Sequence, residues 1–379
     1  KIASCHHLTV NIERCITHGS ALFITPGTTY ASGFIGATFK TNSLSLNFTE
    51  CFDWNTFEFS GPVYSFGGFV SVVEVFDKAT ISVSGGESNS SVNANITGPS
   101  MNYIGGVLGH VINGSSAKVV VNDFTTNNTF IVNTKSLLTL GGVISAGVDA
   151  ADLSIHLTNC TNHGSFEVEA TSKTVYMSSF IGLIVRCSGS RSYIYNSASS
   201  GTFTLNSKGH FIGSTFHSEF LRMTDITLFI SNCSTNDNFD AQCLISSFGG
   251  YVGCITECNR ITGNVNNLTA NGHSQILSEA EQLLMSGIIG EMSKSTSATI
   301  DVRNSVWTGY LTGAVPQSQT IIGGILGKAT LCKQLTLRFT NVTSKGTIQS
   351  IFTASLYHAG GLIGLCTDSK EVNIFLDGC

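Results

Sequence analysis

The sequence predicts an all-β, single-domain parallel β-helix (a β-solenoid) of about ten coils, each roughly 36 residues long with three short strands. Three observations predict it: a glycine box that recurs from end to end, a turn position that recurs between the boxes, and apolar residues that alternate at fixed distances from that turn. A repeat over the whole of residues 1–379 makes the chain one continuous unit with no internal linker, ending in an incomplete eleventh coil at 367–379.

The box reads Gly323-Gly324-Ile325-Leu326-Gly327 and returns around Gly33, Gly68, Gly106, Gly142, Gly182, His210, Gly250, Gly287 and Gly361, with steps of 28 to 40 residues. With its paired aliphatics it is expected to supply one extended segment per coil. Its glycines open no helix, so a phosphate cradle is excluded, and they read as stacking positions where backbones approach closely. The turn falls at Gly19, Asn55, Ser91, Asn127, Gly164, Gly201, Asp237, Gly272, Gly309 and Gly346, in steps of 35 to 37. Gly, Asn and Asp tolerate positive φ and suit such turns.

Ahead of the turn, Leu8/Val10/Ile12, Leu44/Leu46/Phe48, Leu153/Ile155/Leu157 and Leu335/Leu337/Phe339 alternate with a period of two, the mark of a strand with one buried face. Behind it, Phe57/Phe59, Phe166/Val168 and Phe203/Leu205 give a second strand. The only stretch with a helical tendency is Ser278–Leu284, enough for a turn or two. A β-propeller is the rival architecture, but blades need four antiparallel strands with tight hairpin loops, and three strand signals per unit are present.

Only 11% of residues are charged, against about 25% in ordinary globular domains, and the net charge is −5. That balance provides no basic face for nucleic acid or acidic lipid. No run of 18 apolar residues exists, which argues against membrane insertion. The first residues do not resemble a signal peptide, so the start is expected to be a processed terminus or a cut within a larger protein. Twelve cysteines point to an oxidising compartment, and nine glycosylation sequons agree with an extracellular, secreted or cell-surface location. The sequons lie at Asn47, Asn89, Asn95, Asn113, Asn127, Asn159, Asn232, Asn267 and Asn341.

The periodicity pairs cysteines into disulfide candidates. Cys15 and Cys51 lie one coil apart in one column, Cys332 and Cys366 nearly so, while Cys254/Cys258 and Cys233/Cys243 would close local loops. A Cys-x3-Cys spacing without a second pair is poor for zinc, so no metal or other cofactor is expected. Asn159, Asn196, Asn232, Asn267, Asn304 and Asn341 form a further column. Facing inward they would make an amide ladder, and facing outward those in sequons would carry glycans.

The unit Gly361-Leu362-Ile363-Gly364, with an Asn-x4-Gly element at Asn159–Gly164, Asn196–Gly201, Asn267–Gly272, Asn304–Gly309 and Asn341–Gly346, resembles the GLUG-type repeats of large secreted surface proteins. The resemblance spans the chain through a short motif, and implies a β-helical, adhesin-like or surface-structural protein. The cysteines and sequons depart from the bacterial pattern and point to a eukaryotic source such as a protist.

Polysaccharide cleavage, the chemistry some β-helices perform, needs paired carboxylates. Asp149/Asp152 and Asp237/Asp240 are the nearest pairs, and neither has an acidic residue in phase one coil away. His18 and His163 share a phase but lie four units apart. No catalytic residue is therefore assigned. The sixth unit is expected to be irregular, with a loop carrying His210, Phe211, His217 and Phe220.

No capping unit is visible at either end. Leu8, Val10 and Ile12 at one end, and Val372, Ile374 and Leu376 at the other, are expected to form the interface of a head-to-tail homopolymer. The expected function is a non-enzymatic secreted structural protein forming a filament or surface coat. The alternative is an adhesin or glycan-binding stalk with a glycan or host surface as partner, and a polysaccharide-cleaving enzyme ranks third.

Overall fold

Apolar alternation in register leaves one economical arrangement, each coil laid on the last, and the chain adopts it. The computed structural model describes residues 2–24, 27–97, 101–171, 174–315, 319–352 and 356–379; among them the secondary structure is all-β. Strands pair in parallel from coil to coil. One register column runs Ile35, Val70, Leu108, Ile144, Ile181, His217, Val252, Ile289, Leu326 and Ile363, in steps of 35 to 38 residues. The result is a β-solenoid of about ten turns, as expected.

The coils differ in how finely they are cut: one strand runs unbroken from Ile35 to Gly61, whereas later coils hold more strands than the three expected. The coil beginning at Leu153 carries five strands: Leu153–Thr158, Thr161–Asn162, Ser165–Ala170, Val175–Ser178 and Ile181–Val185. Leu153, Ile155 and Leu157 point inward, as do Phe166, Val168 and Ala170. Burying each large apolar side chain contributes about 1.5–3 kcal/mol. Stacked coils place like on like, so the Phe166, Phe203 and Phe239 rings lie parallel at 4.6 and 4.2 Å.

The glycine box is a corner between two strands rather than a strand. One strand ends at its first residue, as at Gly323, and the next begins three residues later, as at Leu326. A Cβ on Gly323 would lie 1.9 Å from the Leu326 carbonyl oxygen, and one on Gly324 would lie 1.9 Å from the Gly361 oxygen of the next coil. Close approach, not positive φ, requires glycine there. Beyond the corner the two strands fold toward each other, so Tyr103, Ala146, Val148, Tyr176, Leu183 and Val185 build a second, smaller core outside the main one.

The sixth unit is regular, and its expected irregularity was a mistaken register. Its corner is Ser214-Thr215-Phe216, not the stretch around His210: the Thr215 N–H donates to the Gly250 oxygen, and the Thr215 oxygen accepts from Phe180 N–H. The fifth corner is likewise Ser178-Ser179-Phe180 rather than Gly182. Corners then fall at 33, 68, 106, 142, 179, 215, 250, 287, 324 and 361, in steps of 35 to 38, so corner and turn keep the same time. His210 and Phe211 lie in the strand His210–Ser214, and His217 and Phe220 in His217–Leu221. Two turn positions also move by one residue, to Ser90 and Asn128, through the bonds Thr129 N–H to Ser90 O and Ser165 N–H to Asn128 O. The helical turn expected at Ser278–Leu284 is part of the strand His273–Ser286, with a register shift between Cys243 and Ile245 on its neighbour.

The asparagine column marks a left-handed corner. Asn159, Asn196, Asn232, Asn267, Asn304 and Asn341 have φ between 48° and 54°, a region Asn visits more cheaply than most residues. Parallel columns hold Asp149, Arg186, Arg222, Glu257 and Lys294, and Asp225 and Arg260. Opposite charges meet within them, although Arg186 and Arg222 are like-charged neighbours: Arg186 grips Asp149 through two bonds of 2.6 Å, and Glu257 lies between Arg222 at 2.8 Å and Lys294 at 3.4 Å. Pairs this exposed contribute about 0–1 kcal/mol each and act mainly to fix register.

Candidate functional site

The fold concentrates ionisable side chains in the second core. Four residues past the middle of each corner, one column reads His110, Ala146, Leu183, Glu219, Cys254, Glu291 and Lys328. Glu219 and Cys254 are each 4% exposed. The Glu219 carboxyl is bonded to Thr256, Tyr176 and Cys254, and burial, outweighing those bonds, pushes its pKa up to about 7. Burial also raises Glu291, against the nearby Lys328 ammonium, whose Nζ lies 4.0 Å from Oε1.

Between the two acids, Cys254 has its Sγ 3.0 Å from Thr256 Oγ1 and 4.0 Å from Glu291 Oε2. Burial and the two flanking carboxylates raise its pKa well above normal, so it stays a thiol and is not an activated nucleophile. Two coils separate Glu219 from Glu291, on the order of 10 Å at the usual strand spacing. Burial thus favours the protonated form of all three groups. Among the described residues no group of three or more His, Cys, Asp or Glu converges as a metal site. Further along the second core His110 is fully buried, stacked on Tyr103 at 4.3 Å with Nδ1 3.0 Å from Ser65 Oγ. Burial lowers its pKa to about 3, leaving it neutral.

A second polar centre lies inside the main core where corner faces turn. Asp237 accepts from Ser179 Oγ (2.6 Å), Ser199 Oγ (2.5 Å), Thr215 Oγ1 (2.9 Å) and Gly201 N–H (2.7 Å). It is a structural hub, and burial raises its pKa despite four donors. Asp240 is exposed on the neighbouring strand, while Asp149 and Asp152 occupy two different left-handed corners, so neither expected pair forms a dyad. His18 and His163 are exposed and bond the Trp54 oxygen and Ser200 Oγ.

The disulfide expectations fare unevenly. None of the twelve cysteines is disulfide-bonded among the described residues. Cys15 and Cys51 are register neighbours one coil apart. Cys366 pairs instead with Ala329, and Cys332 faces Ser369, whose Oγ accepts its N–H at 3.1 Å. Cys258 belongs to the main core and Cys254 to the polar column, while Cys233 lies beside Leu268 and Cys243 beside Ser278. Each of these three pairs spans two columns, yet burial is not alone in raising the pKa of the Cys332 and Cys254 thiols: Cys366 lies near enough to add to the first, and Cys258 to the second.

Asn89, Asn95, Asn113, Asn159, Asn232, Asn267 and Asn341 are exposed, and Asn47 and Asn127 half-buried. The asparagine column faces outward and is nevertheless a ladder: Asn232 Nδ2 donates to Asn196 Oδ1 at 3.2 Å, Asn267 to Asn232 at 2.9 Å, and Asn341 to Asn304 at 3.2 Å. The expected opposition between inward ladder and outward row does not hold.

The polar column was missed because the sixth box was set five residues early. With Thr215 as the corner, Glu219, Cys254, Glu291 and Lys328 all fall four residues past a corner, and the periodicity would have aligned them. Comparison of the chain with protein-family models, curated proteins and solved structures gives no match.

Proposed function

We propose that the chain is a secreted structural repeat protein whose coils stack end to end into a filament or surface coat. The observation that carries this reading is the parallel coil-to-coil pairing, in which every coil presents the same set of strands to the next. Among the described residues, His7–Glu13 and Ile16–Ile24 pair on one side only, as does Asn373–Asp377 at the other end. Inward residues that are 0–2% exposed in neighbouring coils, such as Leu44, Leu46, Phe48 and Leu337, are uncovered there: Leu8, Val10 and Ile12 are half-buried, and Ile374 and Leu376 are 43% and 54% exposed. Bare strand edges over apolar side chains favour addition of further strands.

Extending the register by one coil sets Val372, Ile374 and Leu376 of one copy over Leu8, Val10 and Ile12 of the next. The same step sets Cys379, in the column of Cys51, Cys160 and Cys233, over Cys15. Such a heterologous contact does not close on itself and propagates. Where further coils of the same polypeptide flank these edges, the joint moves out to the ends of that longer rod. The exposed or half-buried sequon asparagines support a secreted setting. Negative-stain microscopy of the native material is the test: filaments of uniform width are expected, and discrete rods at high concentration, with native termini verified, would sink the reading.

A further inference from the structure

The outer face of the sheet built from Leu153–Thr158, Arg191–Tyr195, Thr224–Thr235, Asn259–Ala270 and Thr296–Arg303 differs from the faces before it. In the earlier coils the corresponding outward positions hold no rings, as at Ser45 and Asn47, Thr80 and Ser82, then Lys118 and Val120. From the fifth coil onward one outward column reads His156, Tyr193, Phe229, Asn264 and Asp301, and the next holds Tyr195, Asn266 and Arg303. The rings form one half-exposed surface: His156 stacks on Tyr193 at 4.7 Å, Tyr193 lies parallel to Tyr195 at 6.3 Å, and Tyr195 meets Phe229 at 5.3 Å.

Phe229 also forms one wall of a groove of about 380 Å³, continued by Asn264, Asn266, Asp301, Arg303 and Asn304. That volume lies within the 300–1,000 Å³ typical of ligand pockets. Inside it Arg303 Nε donates to Asp301 Oδ1 at 2.9 Å and Asn304 Nδ2 to Asn266 Oδ1 at 3.0 Å. The guanidinium is thus neutralised by its own carboxylate, and the groove offers amide, carboxylate and guanidinium edges with no net charge.

A matching ligand has flat apolar faces to lie on the rings and a rim of hydroxyls to bond balanced donors and acceptors. It also repeats along its length, because rings and amides succeed one another at the coil spacing of about 4.8 Å. Pyranose rings have this chemistry, with C–H groups on their faces and hydroxyls at their edges. Nucleic-acid bases also stack on aromatic side chains, but in a chain of net charge −5 the face sets Lys118 and Arg191 as scattered cations beside the rings and pairs Arg303 with Asp301 in the groove, which makes no continuous basic track for a phosphate backbone. We infer that the face from His156 through Phe229 to Arg303 binds a neutral linear oligosaccharide lying along the rod. The site does not depend on end-to-end stacking, since a single rod carries the whole face.

Titration calorimetry of the full chain with linear hexaoses of glucose, N-acetylglucosamine, mannose and xylose tests it. At least one hexaose is expected to bind, at least tenfold more weakly to Tyr193→Ala and to Phe229→Ala, with Tyr193→Phe close to the parent chain. Saturation-transfer NMR on the unaltered protein gives a readout that needs no variant: the sugar ring C–H protons should receive saturation from the aromatic protons. Absence of millimolar binding by all four hexaoses, affinity unchanged in both alanine variants, or tighter binding of a twelve-nucleotide oligothymidylate would overturn the assignment.

Discussion

Two neighbouring stretches of the rod fill the same narrow part of the coil, where corner faces turn, in opposite ways. Around Ser179 and Thr215 the corner carries hydroxyls and the facing turn residue is Asp237, which accepts both. Around Gly287 and Gly324 the corner carries no side chain, and Trp307 lies across the space. A Cβ on Gly287 would be 2.9 Å from the indole, and one on Gly346 2.4 Å from it. The earlier coils repeat the glycine solution with smaller partners, since a Cβ on Gly33 would meet Asp53 at 2.3 Å and one on Gly106 would meet Asn128 at 2.5 Å. Corner and turn therefore share one fixed volume, and what occupies one decides what fits at the other. Where the two solutions meet, between Asp237 and Trp307, the fit is imperfect and leaves a cavity of about 20 Å³, room for about one water.

The comparison can be broken most severely at the glycine corner. Gly323→Val drives a side chain into the Leu326 carbonyl oxygen and is expected to cost more than about 4 kcal/mol, read as loss of soluble protein and of the urea transition. The matched change on the hydroxyl side, Ser178→Ala, removes only a buried hydroxyl with no partner among the described residues and should stay within about 1 kcal/mol of the parent. Equal damage from both would show that the two corners are not built differently.

Next in size, Asp237→Ala strands the Ser179 hydroxyl and the Gly201 N–H and leaves Ser199 and Thr215 only their longer bonds to the Asn162 oxygen and Thr235 Oγ1, for a loss of about 3 kcal/mol. Thr215→Gly should cost about 1–2 kcal/mol alone and much less on the Asp237→Ala background. Strict additivity in that double-mutant cycle would argue against a shared volume.

Glu219 sharpens the comparison from the outer side of the same hydroxyl-bearing corner. Its folded pKa of about 7 stands above the ordinary 4.5, so its contribution is fully present below about pH 4.5 and is lost as pH rises through 7. The shift corresponds to roughly 3 kcal/mol. Glu219→Gln should therefore overtake the parent in stability above pH 7 and show a flatter profile from 4.5 to 7. The buried His110 and His217, both lowered to about 3, act with the opposite sign, their contribution fading as pH falls below 6.5. Parent and variant share that slope, so subtracting the two profiles isolates Glu219. Smallest is the left-handed corner, where Asn232→Ala should cost about 1 kcal/mol and Asn232→Gly only a few tenths, in thermal melts.

The architecture was legible because the solenoid is written in inward residues, and Leu153/Ile155/Leu157 or Phe203/Leu205 cannot alternate without facing a core. The corners were legible only where glycine marks them. Ser179 and Thr215 do the work of glycine through a partner 58 or 22 residues away, and a motif search sees the loss without seeing Asp237 compensate. Asn127 and Asn128 are equally good turn residues by type, and hydrogen-bond register alone separates them. The polar column went unseen for the same reason as the sixth corner: a box set five residues early shifts Glu219 out of line with Cys254 and Glu291. The second core was invisible because alternation marks one buried face, and the strands flanking each corner bury both.

End-to-end stacking at one coil per step is most directly tested by trapping the joint. The proposed stacking would set Cys379 of one copy over Cys15 of the next, and both are exposed. With oxidised glutathione as the disulfide oxidant, the two thiols lose their protons and pass two electrons to it, leaving a Cys379–Cys15 bond and two reduced glutathiones. Mass spectrometry of a non-reducing digest, on protein grown with mixed light and heavy isotopes, should show a Cys15–Cys379 peptide pair linking light to heavy chains. A digest with Cys15 joined only to Cys51 of its own chain, from material that microscopy shows as single rods, would contradict the account.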